Sequence, residues 1–492
     1  MAHPASFHQS RTDAATLSTW AFAMSLATIG TAILWKAGIG INWGVWISCV
    51  VIAFFAVLRD RHGSVGAPTM AAGAWAVVLA FGTAITTDDA RIFVLVLATV
   101  VMLAIALTTA GDRSLDVLRP LVALQAPFRA LSMVFSGLAS ESNGSARTAR
   151  SPAVMTLVRT TLITAPVVLL LIFLLAEADP VFAAARDGLR HVVPDDIIAR
   201  TIFFALLFGT TLGAYSTAQR GRLATYEAPL PVGLLLGSAE RRVLLLALAA
   251  VMWLFVSSAT VSLLKNPAAV SGSGITYAEY VHRGFAELSV AATIVTGAIL
   301  VTRRSWISAD VWARRAATAA IVGECGMIAI AFMRVVRYEQ AYGYTTQRLY
   351  AQAYMIALAC VSGLLLLEIM RRAQSTRFAY HSATAALTII VACVYFNTDA
   401  WIVRENVNRY AVSGSLDTRY LAYDLSDDAT PAIVASLPRL REPERSDLAG
   451  YLRERERLRD GDGVREHRWY AWNYRANRSA RAIRELRGNA MP

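Results

Sequence analysis

A chain of 492 residues that is 56% hydrophobic and 17% charged, with a mean hydropathy of +0.46, is too apolar for an ordinary soluble domain and fits repeated membrane spans. Its formal net charge of +12 comes almost wholly from arginines scattered between apolar blocks, without the dense basic stripe that phosphate binding needs, so no nucleic acid partner is expected. Cys49, Cys325, Cys360 and Cys393 lie in apolar runs with no CxxC or Cys/His spacing, and no histidine pair has ligand spacing, so no metal and no cofactor is expected.

A bilayer core of about 30 Å needs about 20 apolar residues per helix. That template selects eleven segments: 16–36, 41–58, 68–87, 90–109, 156–177, 197–219, 241–264, 284–302, 314–336, 349–370 and 379–397. The first has no basic region with a small-residue cleavage site close behind, so it should stay as an anchor. The expected fold class is an all-α polytopic membrane protein of about eleven transmembrane helices, with a small helical extramembrane domain at the C-terminus.

Residues 1–110 read as a four-helix membrane region. Residues 111–155 follow as a cytoplasmic interfacial helix and polar linker. The apolar stretch at 115–138 is broken by Pro120 and Pro127 and carries Arg119 and Arg129, which favours the interface over lipid. The alternative, a twelfth span, would invert everything after it. Residues 156–397 read as a seven-helix membrane region, and 398–492 as a helical extracytoplasmic tail rich in both arginine and acids. Helix signals recur in that tail: Ser426 ahead of "DDATPAIVASL", a proline opening "PERSDLAGYLRERERLRD", and "WYAWNYRANRSARAIREL" running to Gly488.

Positive residues in short loops stay on the cytoplasmic side. One alternating set of loops holds pairs and clusters such as Arg220 and Arg222, Arg241 and Arg242, Arg303 and Arg304, and Arg371, Arg372 and Arg377; the other set is sparser. With eleven spans this places the N-terminus in the cytoplasm and the C-terminal domain outside a cell inner (plasma) membrane. Long tails translocate with little regard to charge, so the tail's arginines do not oppose this.

On the expected outer side, polar groups gather at span ends. Arg283 and Glu287, four apart in the first turns of the 284–302 segment, share one helix face and can pair, which lowers the cost of bringing charge to the lipid boundary. With them stand Asp179 in "EADPVF", Glu279 in "TYAEY", Arg337, Glu339 and Arg348 in "RYEQAYGYTTQR", and Asp399 and Arg404 in "NTDAWIVRENVNRY". Glu324 is the acid deepest in any expected span, where ionisable groups face a bundle interior or a water path. Together these ten are candidates for ligand binding or for lining a polar chamber; no catalytic residue is assigned. An ordinary interfacial belt of Tyr, Arg and acids accounts for many of them equally well, and one interhelical hydrogen bond would account for Glu324.

The strings "ADPVF", "TYAEYVHRGFAEL", "AYGYTTQRLYA", "NTDAWIVRENVNRY", "LDTRYLAYDLSDDATPAIVASL" and "WYAWNYRANRSAR" occur in order. They resemble the motifs of an uncharacterised bacterial multi-spanning family, the domain of unknown function family 4173 with its 4153 relatives, over roughly residues 155–485. His282 stands where that resemblance leads one to expect a basic residue. The resemblance implies a many-helix membrane protein with polar motifs between spans, and it implies no reaction.

Three functions compete. A sensor or assembly partner, binding an envelope protein or lipid-linked ligand at the outer polar surface, fits the sizeable tail and the lack of any catalytic signature. A transporter or flippase of a small or lipid-linked solute is the alternative, with Glu324 in its favour and no evident inverted repeat. A membrane-embedded transferase using a lipid-linked donor ranks third: the first outer loop lacks an acid, and no GxxxxGK[ST] is present.

Overall fold

Wherever an expected span falls in the described part of the chain, it is helical. The computed structural model describes residues 5–110, 126–134, 195–220, 238–264, 277–303, 307–308, 310–372, 377–461 and 469–488. The segment at 156–177 lies outside them, as do Asp179 and most of 111–155. The helices are α1 (Ala5–Leu34), α2 (Ile41–His62), α3 (Ala67–Gly82), α4 (Asp89–Thr108), α5 (Asp195–Arg220), α6 (Ser238–Leu264), α7 (Tyr277–Thr302), α8 (Val311–Tyr342), α9 (Thr346–Arg371), α10 (Phe378–Tyr395), α11 (Thr398–Ser413), α12 (Thr430–Ser436), α13 (Glu444–Gly461) and α14 (Tyr474–Gly488).

Among the described residues, seven helices are long and apolar enough to cross a bilayer: α2, α3, α4, α5, α6, α8 and α9. The pair α10 and α11, bent by 64° at a short break, brings the number to eight if it counts as one span. The apolar parts of α1 (Thr19–Leu34) and α7 (Val290–Thr302) are shorter. In α7 the charges at 279, 283 and 287 occupy the first half, which confines the apolar run to the second. The protein is an all-α, multi-pass integral membrane protein, and the bilayer is its medium.

The chain divides into two units. The first comprises residues 1–225 and 465–474. Its helices are tied by polar atoms that would be costly to leave bare in lipid. Trp46 Nε1 donates to the Leu26 carbonyl at 3.1 Å, joining α2 to α1, and the Tyr215 hydroxyl donates to the Val50 carbonyl at 2.9 Å, joining α5 to α2. Asn42 closes the α1–α2 turn, accepting from the Gly40 N–H at 2.8 Å and donating to the Ile33 and Gly38 carbonyls at 2.8 and 3.1 Å. Asp88 caps α4, accepting from the N–H groups of Ala90 and Arg91, and pairs with Arg91 at 3.2 Å. Residues 472 and 473 belong to this unit: the Ile41 N–H donates to the Trp472 carbonyl at 3.0 Å, and Asn473 Nδ2 donates to the carbonyls of Thr83 and Thr86 at 3.0 and 2.8 Å. A Cβ at Gly40 would lie 2.7 Å from the Trp472 carbonyl oxygen, so only glycine fits that close approach.

The second unit comprises residues 226–464 and 475–492. Alanines on one face of α8 (Ala313, Ala316, Ala317, Ala320), with Gly323 beyond them, let α6 approach closely, and Trp253 Nε1 of α6 donates to the Ala319 carbonyl at 3.0 Å. Arginines gather at one end of this bundle. Arg303 pairs with Glu368 at 3.1 Å with its guanidinium 4.4 Å over the Phe378 ring, and Arg242 pairs with Asp310 at 2.8 Å. Beyond the bundle, α11 to α13 share an apolar core that includes Ile402, Val403, Leu421, Ile433, Leu448 and Leu452.

Candidate functional site at the α8–α9 turn and the α10–α11 break

α8 ends because Gly343 adopts φ +91, a left-handed conformation that an L side chain resists, while its N–H donates to the Glu339 carbonyl at 2.7 Å. A Cβ there would sit 2.6 Å from Asn406 Oδ1 of α11. The Asn406 amide pairs with the backbone of the turn, accepting from the Tyr344 N–H at 2.9 Å and donating to the Tyr344 carbonyl at 2.8 Å. Arg409 donates to the Ala341 and Ser415 carbonyls at 3.3 and 3.1 Å, and the Tyr420 phenol accepts from the Thr346 N–H at 2.8 Å. The Tyr344 ring meets Trp401 edge-on at 5.2 Å. Burial pushes the Tyr420 phenol above its ordinary range, and nearby Asp399 and Asp424 add to that, against the bonds from Thr346.

Behind the turn Glu339 is almost fully buried and accepts from Gln352 Nε2 of α9 at 2.6 Å. Arg348, on the first turn of α9, lays its guanidinium 4.3 Å over the Tyr338 ring and donates to the Gly343 carbonyl.

The α10–α11 break is built in the same manner. Asn397 adopts φ +57, a conformation asparagine tolerates, and caps α11 by accepting from the Ala400 N–H at 3.1 Å. Its Nδ2 donates to the Asp428 carbonyl at 3.1 Å. Asp399, buried, accepts from the Ser426 N–H at 3.2 Å and from the Ser426 hydroxyl. Arg475 then closes the arrangement: it donates to the Asp428 carboxylate at 2.9 Å and to the end-of-helix carbonyls of Val394 and Tyr395 at 2.7 and 3.2 Å. A guanidinium fork serves where a helix end would leave its last carbonyls open.

Residues 70–436 match the model of a family described as Domain of unknown function (DUF4153). The chain belongs to the DUF4153 family. The matching number is 4153 and not 4173, which corrects the first of the two numbers suggested by the motifs. The DUF4153 match also begins within α3, well before residue 155, so α3 and α4 belong to the family region. No curated protein and no solved structure matches the chain.

Of the ten residues singled out in the sequence, Glu339 and Arg348 meet at the α8–α9 turn and Asp399 lies at the α10–α11 break. Arg337 and Arg404 are exposed. Glu324 lies deeper, within the bundle. Glu279, Arg283 and Glu287 are on α7, with side chains outside the described residues, and Asp179 is outside altogether. Sequence reasoning passed over Gln352, Asp428 and Arg475. The signal for the last two was present, since "SDDATP" and "WNYRAN" lie in the motif strings, but nothing in the sequence says that residues 47 positions apart will pair. Most polar atoms around the turn and the break are satisfied by one another, so this motif set first of all fixes a turn and a helix break.

Proposed function

We propose that this DUF4153 protein is an envelope membrane component whose extracytoplasmic helical domain, held rigidly on the membrane bundle, binds an envelope protein or lipid-linked ligand as a sensor or assembly partner. The observation that supports it is the double hydrogen bond between Asn406 and the Tyr344 backbone, which couples the helical domain to the α8–α9 turn. Exposed Arg337 and Arg404 come from the same two segments and leave charged groups free for recognition. In this reading the arginine-rich end of the second unit faces the cytoplasm of the inner membrane and the helical domain faces outward, in accord with the positive-inside bias.

The test uses a photo-crosslinking amino acid at position 404 or 337 in intact cells, with an impermeant thiol reagent on a cysteine at position 462 to establish the side. A discrete adduct at both exposed positions, lost when Asn406→Ala loosens the turn, supports the proposal. Absence of any position-specific adduct overturns it, as does a cysteine at 462 that labels only after lysis.

Transport would need a polar route past Glu324. Among the described residues, the small half-open pocket one turn from Glu324 is lined mostly by apolar side chains, Leu288, Met327, Ile328, Met355 and Leu358 among them, which supports binding over transport.

A further inference from the structure

α8 carries one acid in its apolar middle, and three helices converge on it. Glu324 is fully buried. Its Oε1 accepts from the Thr296 hydroxyl of α7 at 2.7 Å and from the Ser362 hydroxyl of α9 at 3.0 Å, and those hydroxyls are 3.4 Å apart. Its Oε2 has no hydrogen-bond partner among the described residues. About one turn toward the α8–α9 turn, Ala292, Met327, Ile328, Leu358 and the exposed Tyr354 line a small half-open pocket with room for about one water, and the Tyr354 hydroxyl meets that of Thr293 at 3.0 Å.

Among the described residues, no charged group on the surrounding helices pairs with Glu324. α8 itself brings the Cys325 thiol, Arg314 and Arg315 ten and nine residues earlier, the first donating to the Ile307 carbonyl and the second lying over the Trp312 ring, and, ten residues on, Arg334, whose guanidinium lies 6.0 Å over the Phe255 ring of α6. α9 brings the Tyr354 phenol and the Cys360 thiol, with Arg348 and Tyr350 in its first turns, Arg371 at its last residue, and Glu368 paired with Arg303 near that far end. α6 has its ionisable groups in its first turn, where Arg242 is paired with Asp310, and the described side chains of α7 include none.

We propose that Glu324 is a proton-binding site, a carboxylic acid carrying its proton on Oε2 and pinning α7, α8 and α9 through Oε1. An ionised carboxylate has about four acceptor positions, and among the described residues it would meet two hydroxyl donors and no cation. In apolar surroundings an isolated charge of that kind neutralises, because an unsatisfied neutral hydroxyl costs far less than an unpaired ion. A hard metal cation in its place would want six or more oxygen ligands, which the described surroundings of Oε2 do not supply.

Two measurements on the intact protein in membranes test this. Infrared difference spectroscopy of the wild type against Glu324→Gln at neutral pH should show loss of a protonated-acid carbonyl band. Loss of an ionised carboxylate band would overturn the proposal. The second needs no variant: a hydrophobic carbodiimide requires the acid's proton, which moves to one reagent nitrogen as the carboxyl oxygen attacks the central carbon. Acyl migration then leaves a stable N-acylurea on the side chain. The expected adduct, read by peptide mass, falls on Glu324 and is unaffected by sodium. Protection by sodium would replace the proton with a cation, and a wild-type protein that neither labels nor shows the acid band would end the idea.

Discussion

Asn406 and Tyr344, sixty-two residues apart, exchange two hydrogen bonds in which one side-chain amide serves as both donor and acceptor to one residue's backbone. The turn it holds belongs to the membrane bundle, and α11 belongs to the apolar core of the helical domain. Replacing Asn406 by Ala strips partners from a partly buried N–H and carbonyl at once, at about 1–3 kcal/mol for each group left unsatisfied. Asn406→Asp keeps the acceptor and loses the donor, so it should lose less than Ala. Gly343→Ala should mimic the defect, because its Cβ would press on the same Oδ1 from a φ of +91. Protease cleavage of the helical domain in detergent, timed against unfolding of the whole protein, measures all three. Cleavage unchanged in Asn406→Ala would mean that the domain is held elsewhere.

Arg475 and Asp428 are both almost fully buried, and the salt bridge between them is outside the membrane-spanning helices. Removing one partner of such a pair costs about 3–5 kcal/mol, since the other charge stays buried. Arg475→Ala should therefore destabilise strongly. Arg475→Lys should recover only part, because a single ammonium does not reproduce the fork that also serves the Val394 and Tyr395 carbonyls. Adding Asp428→Asn to Arg475→Ala should restore part of the loss in a double-mutant cycle of thermal unfolding. Strict additivity would show that the two side chains act independently.

Span positions were legible because length and apolarity are local properties of the chain. Glu339, Arg348 and Asp399 were legible because charged residues at span ends are conspicuous. The partners of those residues were not legible. Gln352 is an ordinary polar residue in the second turn of α9, and Asp428 looks like an N-terminal helix acid. Arg475 is one arginine among many in the tail. Their roles come from tertiary placement, in which Arg475 reaches carbonyls eighty and eighty-one residues earlier, and no periodicity encodes that. The 64° break was equally hidden: "FNTDA" carries a capping asparagine, but the bend depends on how the Asn397 amide and Arg475 satisfy the groups around it.

At the opposite end of the second unit, Asp310 caps α8 and bridges to Arg242 of α6. The Arg242 hydrogen bond first, and the Ala313 N–H next, hold the Asp310 carboxyl below its ordinary range. A carboxyl depressed on folding contributes stability that is fully present above its unfolded value of about 3.9 and is lost as pH falls through the folded value. Acidification below about pH 4 should therefore loosen the α6–α8 contact. Asp310→Asn should flatten that acid limb while leaving stability near neutrality only slightly lower, since Arg242 is partly exposed and the pair is screened. A cysteine cross-link between residues 245 and 313, followed against pH, reads the contact; equal pH dependence in wild type and variant would remove Asp310 from it.

Arg283 and Glu287 lie four apart within α7, which is helical from Tyr277, so their Cα positions share one face near the start of the helix. If they pair, each single charge reversal sets two like charges side by side at the membrane boundary, where repulsion is weakly screened and one ion must find another partner. Reversing both restores opposite charge, with the order along the helix exchanged. Arg283→Glu and Glu287→Arg should each lower the yield of folded protein in membranes, and the double variant should recover much of the loss. Independent headgroup interactions predict another pattern: each reversal then costs a fixed amount, the losses add, and the double variant is the worst of the three. Folded yield from size-exclusion profiles of the four proteins separates these outcomes, and an additive result would leave Arg283 and Glu287 as two members of an ordinary interfacial belt.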